Sequence, residues 1–316
     1  MNVLLILPQA ENPGGVYERE LSAAFPGHSF ECVAHHELAA VPARSAEVLM
    51  TFSPFMSDRV LQEAPKLRWI QVLGSGVDGV TNLPSLRREV IVTSGHGVQA
   101  APVSEAALSL MFALSRELPR MVANQAARRW ERWPSQLLEA RTLGILGVGR
   151  IAEALARKAR ALGMRVIGVS SNVRELANFD RVHPTEALRD VVGEMDYLVV
   201  LTPHSAQTHH LVDARVLAAM RPTAFLVNVA RGGVVNEADL VAALRAGQLR
   251  GAALDVFQEE PLPSSSELWS LPNVLISPHL GGLNSSYPQS ILPLVIENLT
   301  DFAAGRFDRM RNLVRR

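Results

Sequence analysis

Cysteine is almost absent from this chain: Cys32 is the only one in 316 residues. A single thiol forms no internal disulfide and builds no thiolate metal cage. Neither sign of charge is in excess, because 31 Lys+Arg face 31 Asp+Glu. That balance leaves no basic footprint for nucleic acid and no polybasic segment for a membrane surface. Long apolar runs are missing as well, with nothing approaching the ~20 residues that cross a bilayer. The short run Val3–Leu7 lacks a cationic start and is closed by Pro8, so it reads as a first buried strand rather than an export signal. The expected location is the cytoplasm. There is no internal repeat, and the only biased stretch is the short Ser264–Ser266 loop.

What is present is the composition of a folded globular protein. Apolar residues make up 48% of the chain, which excludes a mainly disordered polymer, and the length suits two domains of ordinary size. Short β-branched runs alternate with helical stretches nearly throughout. Candidate strands are Val3–Leu7, Ser29–Val33, Val48–Phe52, Leu67–Leu73 and Val90–Thr93, then Thr142–Leu146, Arg165–Val169, Tyr197–Leu201, Ala224–Val229, Ala252–Val256 and Val274–Ile276. Strands that are apolar on both faces and separated by helices signal a parallel sheet covered on both sides. The expectation is an α/β chain with two doubly wound parallel-sheet domains. Pro102–Arg129 reads as a long helical connector interrupted at Pro119. The tail helix Ile291–Ala304 is expected to return to the first domain, starting late or kinked because of Pro288 and Pro293. The domains would then be 1–101 with 284–316, and 102–283.

The strongest local motif is Thr142-Leu-Gly-Ile-Leu-Gly147-Val-Gly149-Arg150-Ile151-Ala152. It follows an apolar strand and opens an amphipathic helix, the context in which Gly-x-Gly-x-x-Gly/Ala implies a dinucleotide. Gly147 permits the tight turn, Gly149 lets a pyrophosphate approach the backbone, and the helix N-terminus holds the phosphate. NAD-specific sites carry an acidic residue about 20 positions further on. Here the next strand runs into Ser170-Ser171-Asn172-Val173-Arg174, with no carboxylate before Glu175. Hydroxyls and a guanidinium suit a 2′-phosphate, which a carboxylate would repel. NADP(H) is therefore expected to be preferred, with NAD(H) as the lesser cofactor.

Reducing a keto group beside a carboxylate needs a proton donor at the carbonyl oxygen and a cation for the carboxylate. His279 is framed by Pro278 and the pair Gly281-Gly282 after a candidate strand, and the Glu259-Glu260 pair follows another strand of the same sheet. A carboxylate beside imidazole favours the protonated ring, as a proton donor requires. Arg231, past a third strand, offers a planar fork matched to a carboxylate. His204, His209 and His210 cluster, as do His35 and His36, but neither group has a recognised ligand spacing, so no metal is expected. Trp130 and Trp133 suit core or subunit-interface packing, with lining of the substrate cleft as the alternative, and Asp78 suits a turn or helix start.

Several segments together resemble the D-isomer-specific 2-hydroxyacid dehydrogenase family, nearest its glyoxylate/hydroxypyruvate reductase-like members. They are Leu73-Gly-Ser75-Gly76-Val77-Asp78, Gly147–Ala152, Asn228-Val-Ala-Arg231-Gly-Gly, Gly251-Ala-Ala-Leu-Asp255 through Glu260-Pro-Leu-Pro, and Ser277-Pro-His279-Leu-Gly-Gly, in the family's order. The resemblance implies a flavodoxin-like substrate domain and a Rossmann domain. It implies Arg231 as the substrate-binding arginine, Glu260 (directly before the proline) as the histidine's partner, and His279 as acid/base. The backbone of Ser75, Gly76 and Val77 would take the substrate carboxylate. Gly147, Gly149, Arg150, Ile151, Ser170, Ser171, Arg174, Thr202, Val229, Ala230, Asp255 and Gly281 would bind the cofactor, with Asp255 facing the nicotinamide carboxamide. A homodimer is the family's usual assembly. The alternatives are a nucleotide-sensing regulator on the same fold, or a dehydrogenase of another small anion such as formate or phosphite.

Overall fold

The computed structural model describes residues 1–315. The chain divides into two compact units, Met1–Gln99 with Leu283–Arg316, and Ala100–Gly282. Each is built on one wholly parallel sheet.

In the first unit the strands are β1 (Asn2–Ile6), β2 (Ser29–Val33), β3 (Val48–Thr51), β4 (Trp69–Val72) and β5 (Ile91–Thr93), in spatial order 2-1-3-4-5. This is the flavodoxin-like doubly wound order. β3 and β4 are buried at every position, as strands covered on both faces must be. One face packs Val3, Leu5 and Trp69 against helix α1 (Val16–Ala24) and the tail helix, α11 (Tyr287–Ala303). The other packs Leu4, Ile6, Leu49 and Ile70 under the short helices α2 (Ala40–Ala43), α3 (Asp58–Gln62) and α4 (Asp78–Thr81). Asp78 is the first residue of α4. Each fully buried aliphatic side chain contributes roughly 1.5–3 kcal/mol.

Helix α11 begins at Tyr287, four residues before the start expected from the prolines. Pro288 lies in its first turn, where a missing N–H costs nothing because that donor has no intrahelical partner. Pro293 lies inside the helix and removes one bond there. Buried Ile291, Leu292, Val295 and Leu299 hold the segment helical.

The second unit opens with α5 (Ala100–Ser115) and α6 (Leu118–Ala126). The break falls at Glu117, whose φ is +53°, and Pro119 follows in the first turn of α6. Next come β6 (Thr142–Leu146), α7 (Arg150–Ala161), β7 (Arg165–Val169), β8 (Arg181–His183), α8 (Leu188–Val191), β9 (Tyr197–Val200), α9 (Ala214–Ala219), β10 (Phe225–Asn228), α10 (Glu237–Arg245), β11 (Gly251–Leu254) and β12 (Val274–Ile276). The sheet order is 12-11-10-9-6-7-8, so the direction of winding reverses between β6 and β9. That is the Rossmann plan with one further strand, and ligands bind outside the carboxyl ends of strands at such a reversal. Helices α5 and α7 cover one face through Ala107, Met111, Leu155 and Ala159. Helices α8, α9 and α10 cover the other through Leu188, Leu217 and Leu240. Strand β8 went unrecognised in the sequence: it is an edge strand of three residues, Arg-Val-His, with a single apolar side chain. Among the described residues, no helix is long and apolar enough to cross a membrane.

Candidate active site

The glycine turn lies at the reversal point. Gly147 ends β6 at φ +96°, and a Cβ there would meet the Thr202 backbone at 2.6 Å. Only glycine brings the two loops this close. At Gly149 a Cβ would meet nothing within 4 Å, so space is open above the backbone at the start of α7. No side chain caps that twelve-residue helix. Its first N–H groups and its dipole are available for an anion, and a pyrophosphate fits this cradle. Ala152 is buried, giving the close helix–sheet contact its motif position requires.

Beyond β7, Ser170 is buried and its Oγ accepts a bond from Asn172 N (3.2 Å), while Ser171 and Asn172 are exposed. Arg174 reaches back to α7 and pairs with Glu153, Nη2 to Oε1, at 3.0 Å. Nothing around Arg174 in the chain announces this contact. Both side chains are well exposed, so the pair is weak and a phosphate can displace it.

Three adjacent strands deliver the chemistry-bearing side chains. Arg231 follows β10, Glu260 follows β11 and His279 follows β12, so all three stand at one carboxyl edge. Asn228, the last residue of β10, shapes the arginine loop: its Nδ2 donates to Arg231 O (2.9 Å) and its Oδ1 accepts from Ala230 N (3.1 Å). A Cβ on Gly232 would lie 1.9 Å from the Phe257 carbonyl carbon. The arginine loop thus packs directly on the loop that carries Glu260. That second loop is tied to the start of α10, where Gln258 N donates to Glu237 and Glu237 N donates to Gln258 Oε1.

His279 Nδ1 lies 2.7 Å from Glu260 Oε2, and Glu260 Oε1 accepts the Phe257 N–H at 2.9 Å. Burial acts to raise the Glu260 pKa. The bonds from His279 and Phe257 N, with the charges of His279 and Arg231, outweigh it and hold the carboxyl below its ordinary 4.5. Glu260 is therefore an anion at neutral pH and can only accept. The Nδ1 position must carry a proton, which leaves Nε2 as the ring nitrogen not engaged by Glu260. Glu259 is exposed.

The histidine's backbone is equally constrained. His279 has φ +56°, a conformation costing roughly 1–3 kcal/mol for a residue with a side chain. Its N–H donates to Asp255 O at 2.8 Å and approaches Ser277 O at 3.0 Å. The Asp255 side chain holds the rest of the loop, accepting from Ser277 Oγ (2.5 Å), Leu280 N (2.8 Å) and Gly281 N (2.8 Å). Asp255 is 2% exposed, so both its oxygens serve the histidine loop. Ser277 is a supporting residue that the sequence did not single out. Val229 is buried beside Arg231 and Ala230 is partly buried.

In the first unit, Ser75, Gly76 and Val77 form the turn between β4 and α4. Ser53 Oγ donates to Gly76 O at 2.8 Å and steadies it. Trp130 is 94% exposed, so core packing, one of its expected roles, does not hold. Trp133 carries the Arg120 guanidinium 4.3 Å from its ring centroid. His204 Nε2 and His209 Nδ1 are 3.1 Å apart. Among the described residues, no group of three or more His, Cys, Asp or Glu is arranged to hold a metal ion.

Stability should report the Glu260 anion. Its folded-state pKa is depressed, so its contribution is present above the unfolded value near 4.5 and is lost as pH falls through the folded value. Urea unfolding of the wild type and Glu260→Gln between about pH 7 and pH 3 should show a constant difference at the upper end that disappears toward the lower. A difference independent of pH would mean that the carboxylate's charge is not what stabilises the loop.

A glycine cradle at the reversal of a Rossmann sheet, with a histidine–glutamate pair and an arginine on the same edge, suits a nicotinamide-dependent dehydrogenase. Residues 108–281 match the profile of the NAD-binding domain of D-isomer specific 2-hydroxyacid dehydrogenases. The glyoxylate reductase of Thermococcus gammatolerans is 33% identical over 85% of this chain and 83% of its own length. A D-isomer specific 2-hydroxyacid dehydrogenase family protein from Aeromonas salmonicida superposes with TM-score 0.88 at 35% identity, covering 99% of both chains. An NADPH-dependent glyoxylate/hydroxypyruvate reductase from Sinorhizobium meliloti, solved with NADP and sulfate, gives 0.84 at 26% identity over 99% of this chain and 98% of its own. The chain belongs to the D-isomer specific 2-hydroxyacid dehydrogenase family, and its second unit is the part that binds the nicotinamide dinucleotide.

Proposed function

We propose that the protein is an NADP(H)-preferring reductase of a small 2-keto acid, of the glyoxylate or hydroxypyruvate type. The observation that carries this reading is the His279–Glu260 pair at 2.7 Å on the same sheet edge as Arg231. Relatives named as glyoxylate reductases support the substrate class, and a neighbour named as NADPH-dependent supports the cofactor.

A reduced nicotinamide, when bound, supplies the hydride to the keto carbon. His279 Nε2 donates the proton that the carbonyl oxygen takes up. Glu260, anionic throughout, keeps the ring oriented and stabilises its cationic form before donation. Arg231 holds the substrate carboxylate and draws charge toward the carbonyl oxygen. Ser75, Gly76 and Val77 of the first unit, the substrate domain, offer backbone N–H groups to that carboxylate. Gly147, Gly149, Arg150 and Ile151 receive the pyrophosphate. Ser170, Ser171 and Arg174 receive the 2′-phosphate, and Thr202 lies on the adenosine side. Val229, Ala230, Asp255 and Gly281 line the nicotinamide, with Asp255 also fixing the histidine loop.

Steady-state assays with glyoxylate, hydroxypyruvate, formate and phosphite, each with NADPH/NADP⁺ and NADH/NAD⁺, test the reading. Keto-acid-dependent oxidation of NADPH is expected. Tight NADPH binding with no turnover of any substrate would instead mark a regulator.

Removing Arg174 should separate the cofactors. A lost charge-assisted phosphate bond is worth about 1.5–3 kcal/mol, so Arg174→Ala should raise the KM for NADPH about ten- to a hundredfold and leave that for NADH nearly unchanged. Equal losses would show that Arg174 does not meet the 2′-phosphate.

A homodimer in the cytoplasm completes the proposal. Phe112, Leu118, Val122, Trp130 and Leu137 are all exposed within one stretch of chain, Leu118 and Val122 one turn apart on α6. Surfaces of this kind mark association sites. Sedimentation equilibrium should give twice the 34.4 kDa chain mass, and Trp130→Glu should shift it toward the monomer. The lone Cys32 agrees with a reducing compartment.

A further inference from the structure

The first unit has its own reversal of strand order, between β1 and β3, and open α/β sheets take ligands at such a point. A cavity of about 160 Å³ lies there, lined by Glu11 and Pro13 after β1, Phe52 after β3, and Leu283, Tyr287 and Pro288 around the start of α11. Its walls are mostly apolar, Asn284 and Ser285 are polar residues of the lining, and Glu11 is its acid. The loop bearing Glu11 is fixed: Glu11 N and Asn12 N both donate to Pro8 O, at 3.0 and 3.2 Å. Asn12 accepts from Tyr17 N at 3.2 Å and donates to Glu18 at 2.6 Å.

Within this frame the Glu11 Oε2 atom is shielded from solvent and meets no hydrogen-bond donor of the protein. Burial pushes the carboxyl's pKa up. The Tyr17 hydroxyl is likewise buried without a partner, and its pKa is raised by burial and by nearby Tyr287 and Glu11. A glutamate on a loop ordinarily turns to water, and one held under cover with an unfilled acceptor is costly unless a ligand brings the missing donor. The cavity also adjoins the turn proposed for the substrate carboxylate. Tyr287 Oη donates to Leu73 O at 2.5 Å, and Phe52 lies 3.4 Å from where a Cβ on Gly74 would be.

We propose that this cavity is a specificity pocket for the substrate's third carbon, and that Glu11 selects 2-keto acids whose short side chain ends in a hydrogen-bond donor such as a hydroxyl. The inference rests on the keto-acid reductase reading above. An apolar side chain of the same size leaves the Glu11 oxygen unfilled, and a terminal carboxylate is repelled by it.

The test is NADPH-dependent kinetics of the full chain with hydroxypyruvate, its methyl isostere 2-oxobutyrate, and glyoxylate, which has no third carbon. The wild type should favour hydroxypyruvate over 2-oxobutyrate by about ten- to a hundredfold in kcat/KM. Glu11→Leu should bring that ratio near one, and Glu11→Gln, whose amide oxygen still accepts, should keep part of it. Glyoxylate should remain within about threefold in both variants. A ratio unchanged in Glu11→Leu, or no preference in the wild type, overturns the pocket while leaving the reductase standing. Equal losses on all three substrates reveal a merely structural glutamate and also overturn it. Turnover of none of them overturns the reductase reading, and the pocket with it.

Discussion

Replacing His279 with alanine is expected to lower kcat with glyoxylate by about a thousandfold, within the span typical of a positioned general acid. NADPH should still bind with nearly its original affinity. Glu260 accepts at Nδ1 through a 2.7 Å contact, so Nε2 is the ring atom left for the substrate, and alanine removes the proton source without touching the glycine cradle at Gly147 and Gly149. The left-handed backbone at position 279 is not relieved by alanine, which also carries a Cβ, so the loop keeps its constraint. Fluorescence titration with NADPH alongside single-turnover kinetics checks both halves. A variant with wild-type kcat would remove His279 from the chemistry, and one that loses NADPH affinity instead would assign it to the cofactor.

Arg231→Ala should depress kcat/KM by roughly a hundred- to a thousandfold, the about 3–4 kcal/mol expected when a carboxylate loses its paired cation in a confined site. Both parameters should change, because the carboxylate is held in the ground state and in the transition state, while the growing charge on the carbonyl oxygen is met only in the latter. Arg231→Lys should recover little, since a point charge does not reproduce the planar fork. Arg231 is also among the charges that hold the Glu260 carboxyl ionised. Its removal should therefore move the acidic limb of the kcat/KM–pH profile upward as well as lowering the plateau. An effect confined to NADPH affinity would contradict the substrate role.

Much of this architecture is legible in the chain itself. Thr142–Leu146 and Arg165–Val169 are strands with the bounds read from their apolar runs, because strands buried on both faces carry their signal in every residue. The Gly147–Ala152 turn is legible from its glycine spacing after an apolar strand, and the loops after β10, β11 and β12 that carry Arg231, Glu260 and His279 from the family's motifs. Side-chain partnerships made through space leave no such trace. Nothing near Arg174 in sequence announces Glu153, 21 residues earlier, as its partner. Asp255 invites a direct role at the cofactor, and only the folded loop shows three donors from residues 277–281 converging on it. Glu11 reads as an ordinary polar loop residue until the reversal between β1 and β3 is known.

The return of the chain to the first unit at Leu283 sets an order of assembly on the ribosome. Residues from Leu283 onward supply Ile291, Val295, Leu299 and Phe302 to the face of the sheet that includes Val3, Leu5 and Trp69. They also supply Asn298 Nδ2 to Gln71 Oε1 at 2.9 Å and Val314 N to Val92 O at 2.9 Å. The dinucleotide-binding unit is uninterrupted in sequence and has everything it needs once residue 282 has emerged. Residues 1–99 must wait, one side of their sheet bare, until α11 has emerged. A chain cut just after residue 282 would therefore carry a finished cofactor module and an unfinished, aggregation-prone neighbour.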